Sequence, residues 1–214
     1  MIYWIKKHPY CLINLYLVFY LIAFFSLEKL IPEPKYIIHC PLDDWIPFNE
    51  WFVLPYFLWY GWVPAFLVYF MIKEKQSFLR LAFIMFTGMT ICLVIYVLWP
   101  NGLNLRREIT AQNFCGEIVR FLRKVDTPNN VCPSIHVSST AAIHLVICRS
   151  RSFGKSRVMK GISLAVTLAI CLSTMVIKQH SAVDVFWGWA LSCFLSLAAG
   201  RLRIGADDKT PVIV

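Results

Sequence analysis

"GISLAVTLAICLSTMVIKQHSAVDVFWGWALSCFLSLAAG", residues 161–200, is apolar throughout apart from KQHSAVD in its middle. As one helix it would measure about 60 Å at 1.5 Å per residue, roughly twice the hydrocarbon thickness of a bilayer. The chain must therefore fold back near 178–182, giving two antiparallel spans with Lys178, Gln179, His180 and Ser181 in the turn. Asp184 follows His180 by one helical turn, where a carboxylate can hold the imidazole and fix its tautomer.

Working outward, similar apolar runs recur near 10–30, 51–72, 81–99 and 133–148. With 161–178 and 182–200 they predict an all-α, integral membrane six-helix bundle. The composition agrees: 58% of the 214 residues are hydrophobic, only 15% are charged, and mean hydropathy is positive, unlike a soluble chain. The first run follows Lys6 and Lys7 as a signal peptide would, but it is long and closes on no small-x-small cleavage site, so it reads as a retained anchor. Residues 1–204 form one six-span domain without internal repeats, and 205–214 form a short polar tail.

The net charge of +9 is arranged for a membrane, not for nucleic acid. With the N-terminus in the cytoplasm, that side carries Lys6, Lys7, Lys73, Lys75, Arg80, Arg149, Arg151, Lys155, Arg157, Lys160, Arg201, Arg203 and Lys209, against Glu74, Asp207 and Asp208 alone. The opposite side holds near-equal numbers of both signs. This is the positive-inside pattern, with both termini cytoplasmic. The eight cysteines show no C-x-x-C spacing, so zinc and haem find no support. Cys40, Cys115 and Cys132 face outward, where a disulfide can form but no pairing is deducible.

Two outer loops stand out. The first, 31–50, holds Pro32, Pro34, Pro41 and Pro47 with Trp45 and Phe48, which suits irregular backbone in the interface and otherwise reads as a connector. The second, 99–131, carries Arg106, Arg107, Arg120, Arg123 and Lys124 on the side otherwise poor in basic residues. Just beyond it, in "CPSIHVSST" (132–140), Pro133 fits the first helical position, and Ser134, Ile135 and His136 then offer free amides at a helix N-terminus suited to an anion.

Counting crossings brings Arg106, His136 and His180 to one membrane face. Singly, each has a plain structural reading, as an interfacial histidine or a capping ion pair. Together they make an ionisable cluster at the membrane boundary: arginine and a helix terminus for a phosphate, one histidine to attack and one to donate a proton.

These residues resemble the type 2 phosphatidic acid phosphatase superfamily of integral membrane phosphatases. Its P-S-G-H motif appears as Pro133-Ser134-Ile135-His136, and its S-R-x5-H-x3-D motif as Ser173 through Asp184, with Thr174 in place of arginine. Its K-x6-R-P motif is represented by Arg106, with Trp99 at the lysine position and Arg107 at the proline. The forms "CPSIHVS" and "STMVIKQH" look most like the branch that includes sphingomyelin-synthase-like and inositolphosphorylceramide-synthase-like enzymes. The resemblance implies catalysis without cofactor or metal: His180 attacks phosphorus, Asp184 orients it, and His136 protonates the leaving group. Arg106, the amides near Ser134, Ser173 and Lys178 would hold the phosphoryl oxygens, Lys178 or Arg107 making up for the missing positive charges.

The expected activity is thus hydrolysis of a lipid phosphate monoester or diphosphate, such as phosphatidic acid or a polyprenyl diphosphate. A phosphotransferase of the sphingomyelin-synthase-like type shares the chemistry up to the last step, and a non-enzymatic lipid-binding or transport scaffold would explain the spans without needing both histidines. Partners are the lipid substrate and the membrane, a homo-oligomer being compatible with the layout. The compactness points to a prokaryotic plasma membrane with the site extracytoplasmic. His144, Trp51, Trp59, Trp62, Trp187 and Trp189 read as packing residues and interface anchors.

Overall fold

The structure is a computed structural model and describes residues 2–31 and 33–205; of the tail, 206–214 lie outside the described residues. The polypeptide is helical almost throughout: α1 (Ile2–Lys7), a 3-10 segment (Pro9–Leu15) running into α2 (Tyr16–Leu30), α3 (Pro41–Trp45), α4 (Val53–Lys73), α5 (Lys75–Leu98), α6 (Phe114–Val125), α7 (Ile135–Arg149), α8 (Arg157–Val176) and α9 (Ala182–Arg201). Two short parallel strands, β1 (Tyr36–Ile37) and β2 (Asn101–Gly102), pair in the loops.

Five helices are long and apolar enough to cross a membrane: Pro9–Leu30, Glu50–Lys73, Lys75–Leu98, Arg157–Val176 and Ala182–Arg201. Their length and composition are those of an integral membrane protein. The third begins at Lys75 and the fourth at Arg157, several residues before the expected starts, because KQSFLR and RVMK continue their helices beyond the apolar run.

The sixth expected span, α7, has only 15 residues, or about 22 Å. It is the innermost helix, packed by α5, α8, α9 and α4 and buried on every side from Val137 to Ile143. Ser138, Ser139, Thr140, Ala141 and Ala142 are small enough to let the neighbours close in. At that contact the Ser192 hydroxyl of α9 donates to the Ser138 carbonyl at 2.6 Å. Residues of α2, α4, α5, α7 and α9 share one apolar core.

The connections gather at two ends. At one end α4 and α5 meet at a single residue, Glu74, whose buried carboxylate accepts hydrogen bonds from Ser77 Oγ (2.5 Å), the Arg151 amide (2.7 Å), and the amide (3.1 Å) and hydroxyl (2.8 Å) of Ser152. Burial by itself would raise this carboxyl, but the donors outweigh it and hold it below the ordinary glutamate value.

At the other end lie the 31–52 and 99–134 loops and the 177–181 turn. Here Asn101, fully buried, donates from Nδ2 to the carbonyls of Trp99 and Cys132 and accepts the amides of Val131 and Cys132 on Oδ1. That side chain clamps the approach to α7. All eight cysteines are free.

Candidate active site

The 161–200 stretch reverses where its length requires. The Thr174 carbonyl accepts the amides of Gln179 (2.9 Å) and His180 (3.0 Å), and Lys178 takes a left-handed φ of 60°. Ser181 caps α9, and Asp184, third residue of that helix, accepts the Ser181 amide at 2.8 Å, a capping box with aspartate as the acidic member. The same carboxylate oxygen lies 3.3 Å from His180 Nδ1. The expected pairing therefore exists by a different route: His180 precedes the helix, and the capping box aims Asp184 at it. Asp184 is fully buried, and His180 is 7% exposed. With Nδ1–H donated to Asp184, the His180 lone pair resides on Nε2.

His136 lies in the first turn of α7, its ring centroid 5.7 Å from that of His180. The rings of Trp59 and Tyr56 stand 4.4 Å and 4.8 Å from it. Trp59 is thus not simply an interface anchor: it packs on a candidate catalytic ring while donating to Ser139 Oγ at 2.8 Å. His136 Nε2 is 2.9 Å from the Tyr56 hydroxyl, which donates to Asp126 Oδ2 at 3.1 Å. Burial raises the Asp126 carboxyl, while His180, Arg106 and Tyr56 pull it back.

Pro133 does not occupy the first helical position. Its carbonyl accepts the Tyr96 hydroxyl at 2.7 Å, and Ser134 becomes the cap, its hydroxyl accepting the Val137 amide at 3.4 Å. The Ser134 amide donates to the Asp184 carbonyl at 3.2 Å, so it is engaged and not free for an anion. That bond sets the starts of α7 and α9 side by side. Gly188 permits the approach, since a Cβ there would come 2.8 Å from the Ser134 carbonyl oxygen.

Arg106 reaches the cluster from the second loop. Its Nη2 donates to the Asp126 carbonyl at 2.7 Å and makes a short contact to Gln179 Oε1, and Nη1 donates to the Arg123 carbonyl at 3.5 Å. Arg123, on α6, donates to the Arg107 carbonyl at 2.5 Å and packs over Phe48. Burial, followed by the neighbouring Arg106 charge, lowers the Arg123 guanidinium to about 10. Arg106 Nε, Arg123 Nε and Gln179 Nε2 are buried with no hydrogen-bond partner among the described residues. Unmatched donors beside two like charges make a place where an anion would be stabilised.

Two expected phosphate ligands are engaged elsewhere. Ser173 donates to the Ile170 carbonyl at 2.6 Å within α8. Lys178 Nζ donates to the carbonyls of Asp43 (2.7 Å) and Ile46 (2.5 Å), and burial lowers its pKa. The Asp43 carboxylate accepts Ser181 Oγ (2.6 Å), the Ala182 amide (2.8 Å) and the Cys40 amide (2.9 Å). Burial would raise that carboxyl, and these bonds hold it below its ordinary value. The first loop is therefore no mere connector: it fastens the His180 turn. Arg107, exposed, lines a cavity of ≈ 130 Å³ with Lys178, His39, Asp43, Asp44 and Asn104.

The structure thus brings His180, Asp184, His136 and Arg106 together, with Ser134 as their support, and leaves Ser173 and Lys178 in framework roles. Tyr56, Asp126, Gln179 and Arg123 belong to the cluster and were missed from sequence. Arg123 carried a signal as part of the anomalous basic loop, and Gln179 as part of the polar turn; Tyr56 and Asp126 carried none. Neither the family-model scan nor the search of curated proteins finds a match for this chain.

Proposed function

We propose that the protein is a membrane phosphatase that hydrolyses a lipid phosphate monoester or diphosphate through a phosphohistidine. The observation that carries this reading is the convergence of His180, held by Asp184, with His136 beside the buried donors of Arg106. His180 Nε2 attacks phosphorus as the P–O bond to the lipid breaks, and His136 gives its proton to the leaving oxygen. Water then attacks the phosphohistidine, breaking the P–N bond and returning a proton to His136, and inorganic phosphate leaves. The motif resemblance to the type 2 phosphatidic acid phosphatase superfamily points the same way.

In this reading α7 completes a six-span bundle, both termini are cytoplasmic, and the site faces the extracytoplasmic side of a prokaryotic plasma membrane. Among the described residues, the end away from the site carries Lys73, Lys75, Arg149, Arg151, Lys155, Arg157, Arg201 and Arg203 against Glu74, which supports that orientation. A phosphate at headgroup depth would meet the arginines, with apolar walls below for its chains.

The test is phosphate release by the purified protein in detergent, with chelator, from phosphatidic acid, lysophosphatidic acid and undecaprenyl diphosphate, beside His180→Ala. Release that the substitution abolishes supports the hydrolase. Release only when an acceptor alcohol is added moves the assignment to a phosphotransferase. Lipid binding without turnover, unchanged in His180→Ala, leaves a scaffold.

A further inference from the structure

Proton transfer to the leaving group needs one nitrogen of His136, and the other has a partner of its own. Tyr56 is fully buried, and its hydroxyl bridges His136 Nε2 (2.9 Å) and Asp126 Oδ2 (3.1 Å). A tyrosine hydroxyl has one proton to donate. Directed at an ionised Asp126, it leaves the oxygen able only to accept from the imidazole, so His136 must present Nε2–H.

We propose that Asp126, acting through the Tyr56 hydroxyl, is the positioning residue for His136: it fixes the Nε2–H tautomer and stabilises the imidazolium, so that the proton exchanged with substrate is the one on Nδ1. This rests on the phosphatase reading only for its kinetic consequences. The leaving oxygen takes the Nδ1 proton, the ring becomes neutral, and Nε2–H stays on Tyr56. In the second half-reaction the attacking water returns one proton to Nδ1. No proton need leave the chain Asp126–Tyr56–His136, which acts as a charge partner in the manner of an aspartate on a catalytic histidine, with a hydroxyl interposed.

The surroundings explain why such a partner is needed. His136 faces the aromatic rings of Tyr56 and Trp59 on α4 and the His180 ring of the turn. A second imidazole and an apolar wall both oppose its positive charge. The Asp184 carboxylate is taken up by His180 Nδ1 and the Ser181 amide. Of the remaining charges, Arg106 lies by Asp126, to whose carbonyl it donates, and is of the wrong sign for an imidazolium. Glu28 of α2 is engaged by the Thr127 hydroxyl at 2.5 Å. Tyr60, on α4, packs on Tyr56. Asp126 is the one carboxylate linked to His136 by hydrogen bonds among the described residues. Its placement is deliberate in structural terms: it is the C-terminal cap of α6, its amide bonded to the Leu122 carbonyl at 2.8 Å.

The test uses full-length protein in detergent with labelled histidine, comparing wild type with Tyr56→Phe and Asp126→Asn. Phenylalanine keeps the ring against Tyr60 and His136, and asparagine keeps the backbone carbonyl that binds Arg106. Nitrogen NMR of His136, assigned with His136→Gln, should show Nε2–H in the wild type and a lower imidazole pKa in both variants. In turnover, each variant should lose about tenfold to a hundredfold in kcat with little change in KM, and the alkaline limb of the pH profile should move to lower pH. An Nδ1–H tautomer in the wild type, or an unchanged His136 pKa in folded variants, overturns the proposal. If the wild type hydrolyses none of the lipids, the phosphatase reading fails and the NMR result alone decides this one.

Discussion

His180 owes its proposed reactivity to one oxygen of Asp184, which serves the ring and the helix cap at once. Asp184→Asn keeps an acceptor for the Ser181 amide but no longer stabilises the imidazolium or enforces Nδ1–H. Turnover should fall by roughly 10²–10⁴ with thermal stability little changed, as measured by kcat beside an unfolding scan. This pair was legible in the sequence because its spacing across an unavoidable turn admits few arrangements. Tyr56 and Asp126 were not. Within "LPYFLWYGW" a tyrosine bonded to His136 is indistinguishable from the aromatic residues any membrane helix carries, and Asp126 approaches His136 only because α6 ends there. The lysine was misread for a related reason: Lys178 looks available in a polar turn, while the carbonyls that bind it come from a loop more than a hundred residues upstream. Lys178→Met should therefore lower the unfolding midpoint, leaving two carbonyls unpaired at about 1–3 kcal/mol, with KM for lipid phosphate unchanged. A raised KM at an unchanged midpoint would return Lys178 to the phosphate clamp.

Among the elements, α7 and α9 meet beside the site, and Gly188 lets their starts approach closely. Alanine there must displace the Ser134 backbone, separating His136 from His180. Gly188→Ala should cost about 1–3 kcal/mol and reduce kcat more than KM, read from calorimetry and kinetics on the same preparation. At the opposite end the α4–α5 corner depends on ionised Glu74. Because its folded pKa lies below the unfolded value, its contribution is complete above the ordinary glutamate pKa of about 4.3 and is lost as the pH falls through the folded value. Glu74→Gln should remove that part of the acid sensitivity while lowering stability at neutral pH; identical acid unfolding curves would refute it. The long spans were predictable from apolar length alone. The boundaries of α5 and α8 were not, since their first turns are polar, and α3 and the fastening role of Asp43 depend on contacts across distant sequence.

At the scale of the whole molecule, charge and packing divide the work. Five long apolar helices and the buried α7 form the core, basic residues crowd one end, and the ionisable cluster occupies the other. The orientation proposed here predicts that single cysteines at Lys155 and Lys124, in a background without native cysteines, react with an impermeant maleimide only at position 124 in intact cells. Labelling at 155 alone would invert the topology. In the proposed reaction a nucleophilic His180 carries the phosphoryl group during turnover, which is read most directly by quenching turnover of a lipid phosphate under alkaline conditions and mapping the phosphoryl group by mass spectrometry. Phosphohistidine is expected on the peptide carrying His180, lost in His180→Ala and longer-lived in His136→Gln. Steady phosphate release with no phosphoryl group on His180 at any time point would contradict it.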